Sequence, residues 1–157
     1  MQLQTALEQA RALCDPRGGA TRDSETLCLR QLGRALCMLG YPEQAMQRSQ
    51  EALTMAHALA HPFHLVETLF ASALIQRYRR AWQTVQAHAE AILALATEHG
   101  FVRHVAQGAL FRGMALAGQG QSAAGLAQMR QGLAAYLATG SVIGMSGHLA
   151  QLIEAYG

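Results

Sequence analysis

Three histidines fall within eight residues in the stretch HALAHPFH, from His57 to His64. Imidazole is a common ligand for zinc and nickel. A spacing of four, His57 to His61, would set two rings on one face of a continuous helix. A metal site needs three or four donors converging at about 2.0–2.3 Å, with further groups to orient each ring. The cysteines do not supply them: Cys14, Cys28 and Cys37 form no Cys-x-x-Cys pair and are odd in number. Buried, reduced thiols are the expectation.

Other chemistries find little to build on. The segment GQGQSAAG, from Gly118 to Gly125, has the glycines of a phosphate loop but not its lysine followed by serine or threonine, and it follows a helical pattern instead of a strand. Gly144-Met145-Ser146-Gly147 is one residue short of a nucleophile elbow. The only aspartates, Asp15 and Asp23, lie together in an early loop suited to turns and caps. The glutamates are scattered. No catalytic residue, metal site or cofactor is expected, and the chain does not read as an enzyme.

Composition narrows the partners. Apolar residues make up 51% of 157 positions and charged residues 14%, which favours a compact fold with some apolar surface left for a neighbour. All twelve basic residues are arginine, and lysine and asparagine are absent, a bias expected of a GC-rich bacterial genome. Arg79-Arg80 is the one adjacent basic pair and no arginine stripe follows a helix, so nucleic acid is not an expected partner. MQLQTALEQARALC lacks the basic start and apolar run of a signal peptide. No apolar run reaches the ~18 residues of a spanning helix. A soluble, cytoplasmic protein with no membrane contact is expected.

The elements that must position any site are helical. Ala45, Ser49, Ala52, Ala56 and Leu59 recur at steps of three and four, as do Trp82, Val85, Ala89, Ile92 and Ala96, and again Leu126, Met129, Leu133 and Tyr136. Alternating strand patterns are missing. Breakers divide the chain at DPRGG, at GYP, at His61-Pro62, at a glycine-free turn over Tyr78 to Arg80, and at Gly100, Gly120 and Gly140. About eight antiparallel helices follow.

These pieces repeat. LGRALCMLGYPEQA (Leu32 to Ala45) aligns with ASALIQRYRRAWQT (Ala71 to Thr84) and with RGMALAGQGQSAAG (Arg112 to Gly125). The copies open at Leu32, Ala71 and Arg112, so the second interval is slightly longer than the first. Gly33, Ser72 and Gly113 then share one close-approach position, and Leu36, Ile75 and Leu116 the apolar contact one turn on. Ala52, Ala91 and Gly132 mark the crossing on each second helix. The best copy carries a Leu-Gly pair (Leu32, Gly33), a turn glycine (Gly40) and two small residues (Ala45, Ala52). This pattern resembles the tetratricopeptide repeat over roughly 27–140, although both intervals exceed that family's usual spacing of about 34 residues. The stretched form, with phrases such as GYPEQA and LAHPF, also resembles helical-repeat regions of large bacterial signalling ATPases and regulators. The resemblance implies an all-α, right-handed α-solenoid of TPR-like hairpins forming one domain over 1–157. It would comprise a partial repeat at 1–22, repeats at about 24–61, 62–100 and 101–140, and a partial repeat at 141–157.

In this register His61 aligns with Gly100 and Gly140 at a corner, with His57 in the helix before it and His64 in the helix after. The four-residue spacing therefore joins two helices and the metal reading weakens. Binding replaces chemistry. The resemblance implies that the first helix of each hairpin lines a concave groove that takes a peptide or protein. Its lining is expected to include Arg30, Arg34, Leu69, Gln76, Arg77, Gln107, Leu110 and Met114. Arg30 and Arg34, one turn apart, could fork onto a carboxylate or phosphate, or simply be solvated. Trp82, Tyr78 and Phe70 are expected to pack between helices. The poorly charged last helix, SVIGMSGHLAQLIEAY, suggests a homo-oligomer contact or a docked downstream segment. A small-molecule sensor domain of a signalling or transcription-regulatory protein is the alternative.

Overall fold

The structure, a computed structural model, describes residues 22–141. The helices expected at Leu3 to Cys14 and Val142 to Tyr156, together with Cys14, lie outside them. The described residues form six helices: α1 (Arg22–Met38), α2 (Pro42–Leu59), α3 (Pro62–Tyr78), α4 (Trp82–Glu98), α5 (Val102–Gly118) and α6 (Ser122–Ala138). No strand occurs among them, and none of these helices is long and apolar enough to cross a membrane.

What ends each helix is a backbone conformation more than a residue type. Gly40, Ala60, Arg80, Gly100, Gly120 and Gly140 all have positive φ and follow one another at even spacing. A left-handed residue turns the chain so that the next amide can donate to the carbonyl five residues back, closing the helix end. Those bonds are present from Tyr41 to Leu36 (2.9 Å), Ala81 to Gln76 (3.0 Å), Phe101 to Ala96 (2.8 Å) and Gln121 to Leu116 (2.9 Å). The next helix starts at once, and Pro42 and Pro62 occupy the opening turn of α2 and α3, where an amide donor is dispensable.

Every second corner completes a hairpin, so the structural period runs from Gly40 to Arg80 to Gly120 in two equal steps. The unequal intervals of the sequence alignment are thereby corrected. The first and third copies align as the sequence suggests, but the second slips by one. Ala73, not Ser72, is equivalent to Gly33 and Gly113; Gln76, not Ile75, to Leu36; and Ile92, not Ala91, to Ala52 and Gly132. Burial follows the corrected register. Ala45, Ser49, Ala52 and Ala56 are buried in α2, Val85, Ala89, Ile92 and Ala96 in α4, and Gly125, Met129, Gly132 and Tyr136 in α6. The slip arose because Arg80 takes the left-handed position without being glycine. By the same correction Ala60 is the counterpart of Gly100 and Gly140, and His61 follows the corner residue instead of occupying it.

The chain divides into two compact units, Met1–Ile75 and Gln76–Gly157, with the division inside α3. In the first, α1 packs on α2, and Leu36, Ala45 and Ile75 form a core flanked by Leu32, Cys37 and Met46. A Cβ at Gly33 would lie 3.3 Å from the Ala45 carbonyl oxygen, so the two helices cross closely there. Cys28 and Cys37 are half-buried and form no disulfide, less enclosed than the sequence suggests.

In the second unit α5 packs against both α4 and α6. Phe111, Leu110, Met129, Ile92, Val85 and Tyr136 are fully buried, and the Tyr136 hydroxyl lies 3.1 Å from Ser141 Oγ. Glycines set the closest crossings. A Cβ at Gly125 would meet Ala117 N and the Gly113 carbonyl oxygen at 2.6 Å, and one at Gly132 would meet Leu110 N at 2.9 Å. The Trp82 indole lies directly over Gly118, in keeping with its expected packing role. Tyr78 departs from that expectation: it is 60% exposed.

Candidate interaction site

Within the first unit, one face of α1 carries Leu27, Arg30, Gln31, Arg34 and Met38 at helical spacing. The adjoining face commits Thr26, Gly33 and Leu36 to the interior. Thr26 needs no outside partner, since its hydroxyl donates to the Arg22 carbonyl at 2.8 Å. Arg30 reaches α3, where its guanidinium lies 3.5 Å from Glu67 Oε2, both side chains mostly covered. Burial lowers the pKa of the Arg30 guanidinium from its ordinary value, Glu67 opposes that shift, and the Arg34 charge adds to it. Arg34 stays exposed, its Nη1 donating to Gln31 Oε1 at 3.3 Å. Glu67 was not singled out from sequence. Its place as the one acidic residue of α3 was the available signal.

The remaining groove residues sit deeper than a lining residue would. Leu69 in the first unit is buried, as are Gln76, Gln107, Leu110 and Met114 in the second. α5 is covered on most sides, so Leu110 belongs wholly to the core. The side-chain carbonyl oxygen of Gln107 is buried and makes no hydrogen bond. Arg77 is half-buried, with its guanidinium 4.6 Å from the centroid of the neighbouring Tyr78 ring. Of the expected residues, Arg34 in the first unit is exposed, and Arg30 there and Arg77 in the second are half-buried.

The histidines divide as their register requires: His57 ends α2, His61 lies at the corner and His64 opens α3. The His61 and His64 rings meet edge to face at 4.8 Å, and His64 Nε2 lies 3.8 Å from Asp23 Oδ1 on α1. One hairpin along, His99 stacks on Phe101 at 5.7 Å, and Phe101 meets His104 edge-on at 6.1 Å. Among the described residues no three histidine, cysteine or acidic side chains converge as metal ligands. These corners are built from ring packing.

Sequence reasoning also passed over the apolar residues at the helix ends. Met38 is 78% exposed and Leu39 58%, with Tyr41 beside them in the first unit. Leu39 directly precedes the turn glycine Gly40, and an apolar residue beside a turn is the signal that could have found it. Comparison with known proteins found no matching family model, no matching curated protein and no matching solved structure.

Proposed function

We propose that this chain is a TPR-like helical-repeat scaffold, a right-handed α-solenoid of about eight helices, that binds a protein or peptide and carries no catalytic activity of its own. One observation carries the reading. A left-handed corner recurs at even spacing from Gly40 to Gly140, and the buried positions of α2, α4 and α6 recur with every second corner. Repeated hairpins of this kind cannot bury their apolar flanks alone, and stacking them leaves an extended surface on one side. The α1 face of Leu27, Arg30, Gln31, Arg34 and Met38 suits such a surface, because it mixes apolar and cationic groups that remain at least partly accessible. A bacterial, cytoplasmic setting, a self-contact through the last helix, and the absence of nucleic-acid or membrane partners belong to the same proposal.

A photocrosslinking amino acid at Gln31, on that α1 face, tests it in the host cell against one at Ala87, exposed on α4. The scaffold reading expects a discrete protein adduct at position 31 and none at position 87. Adducts at 87 alone, or none at either position, would refute it. The buried, unbonded Gln107 oxygen favours a second reading, a small-molecule sensor in which a ligand donor meets that acceptor. In that case Gln107→Leu, which removes the acceptor, would abolish the rise in Tm that a bound small molecule gives the full chain.

A further inference from the structure

Residues 76–141 carry six arginines and two glutamates. Three of the arginines stand within four positions, Arg77-Tyr78-Arg79-Arg80, at the corner between α3 and α4. Tyr78, Arg79 and Arg80 are exposed. The acids are elsewhere: Glu90 lies two turns into α4 and accepts from Gln86 at 2.9 Å, and Glu98 ends α4 at its far end. The next corner of this unit, after α5, lies alongside, because Trp82 covers Gly118 and Gln119 donates to Gln86 at 2.8 Å. That corner is Gln119-Gly120-Gln121 and is uncharged. Neither of these two corners therefore carries an acidic residue of its own to offset the arginines.

The backbone at Arg80 adds an independent observation. Its φ of +55° lies in the left-handed region that side-chain-bearing residues seldom adopt. Four of the six equivalent corners use glycine there. An arginine at a position better served by glycine, with its side chain outside the fold, points to a use for the side chain.

We propose that this corner is a docking point for an acidic segment of a protein partner, with the guanidiniums of Arg79 and Arg80 forking onto carboxylates while Arg77, held against Tyr78, contributes its field. Guanidinium matches carboxylate geometry through paired donors. A short acidic segment fits better than a nucleic acid strand. The clustered charge is confined to one corner, the unit's other arginines stand singly on α5 and α6, the adjoining corner is neutral, and Trp82 packs on Gly118. The proposal rests on the reading of the chain as a protein-binding scaffold but concerns a different surface.

Fluorescence anisotropy with the purified full chain tests it. The probes are a labelled Glu-rich peptide, the same peptide with Gln for every Glu, and single-stranded oligothymidylate of equal length. The Glu-rich peptide should bind at least about tenfold more tightly than its Gln counterpart, with affinity falling as salt rises. Arg79→Gln and Arg80→Gly should each weaken it by about tenfold. Arg80→Gly should do so with Tm unchanged or raised, since glycine fits that φ. Equal binding of the two peptides, or unaltered binding by both variants, would overturn the proposal. So would tighter binding of oligothymidylate that is lost in the same variants, which would make the corner a nucleic-acid contact. A protein adduct at position 31 without Glu-peptide binding would sink this proposal alone and leave the scaffold reading standing.

Discussion

The crossing of α5 and α6 tolerates no side chain at Gly125, and Gly125→Ala measures how much. An added Cβ would lie 2.6 Å from both Ala117 N and the Gly113 carbonyl oxygen. Both are backbone atoms and cannot rotate away. Reaching an ordinary contact of about 3.4 Å requires the helices to part by about 0.8 Å locally. A gap of that size forfeits a quarter to a half of the dispersion energy of the atoms facing it, and Met129, Phe111 and Tyr136 are all fully buried in this unit. Overpacking of this kind costs about 1–3 kcal/mol, while replacing glycine by alanine inside a helix returns about 1 kcal/mol. The balance is a net loss of about 0–2 kcal/mol, and backbone atoms as the obstacle put it in the upper half, about 1–2 kcal/mol. Gly33→Ala is the matched comparison at the equivalent hairpin. Its Cβ would meet the Ala45 carbonyl oxygen and Ile75 Cδ1 at 3.3 Å, which needs a shift of only about 0.1 Å, so the helix-propensity gain should win. Urea unfolding of the two variants should show Gly125→Ala destabilised and Gly33→Ala neutral or stabilised. Equal effects, or the reverse order, would refute the claim that backbone contact at the crossing fixes the α5–α6 pair.

Three further perturbations probe other contacts. Gly118→Ala would drive a Cβ into the indole of Trp82, the only tryptophan in the chain, so the ring must leave its seat. Its fluorescence maximum should shift to the red, and an unshifted spectrum would contradict the packing. Glu67→Gln leaves the mostly buried Arg30 charge without its counter-ion and should lower unfolding free energy by about 1–2 kcal/mol, between exposed and fully buried pairs. An effect no larger than that of an exposed substitution such as Glu43→Gln would count against a structural role for the pair. Burial pushes the pKa of His88 below its usual 6.5. The unfolded chain therefore binds this proton more readily than the folded one, and stability is full above pH 6.5 and declines as pH falls toward the depressed value. His88→Gln should flatten that part of the stability–pH curve, and an unchanged slope would show that the decline has another origin.

Helix positions were legible in the sequence because small and apolar residues at steps of three and four leave little choice about which face turns inward. Corner positions were legible where glycine marked them. Ala60 and Arg80 hold the same backbone conformation without announcing it, and aligning copies by residue similarity slipped the second hairpin by one. Only the hydrogen bonds across the corner, Ala81 to Gln76 among them, fix that register. The depth of the candidate groove residues was not legible. Arg34 is exposed on α1, whereas Arg30 is mostly covered beside Glu67, and Gln107, Leu110 and Met114 are buried on α5. A periodic pattern reports which face of a helix is apolar. It does not report how many neighbours cover the helix, and α5 has one on each side within its unit.

The same limit explains how a chain with few large side chains builds a core. Only 6% of its residues are aromatic, and much of the buried set is alanine or glycine. Each small residue removes little apolar area from water, at roughly 25 cal/mol per Å². What it permits is close approach, which multiplies the dispersion contacts of the backbones on either side. Equivalent crossing positions have settled on different sizes: Ala45 in α2, Val85 in α4 and Gly125 in α6. Each size is set by its own neighbours, so transplanting a residue between equivalent positions is not a neutral exchange. Valine at position 125 would collide with the Gly113 and Ala117 backbone, whereas glycine at position 45 would leave a void beside Leu36 and Ile75. The repeat is therefore regular in backbone conformation and individual in packing, which is why its period is read more reliably from the left-handed corners than from residue identities.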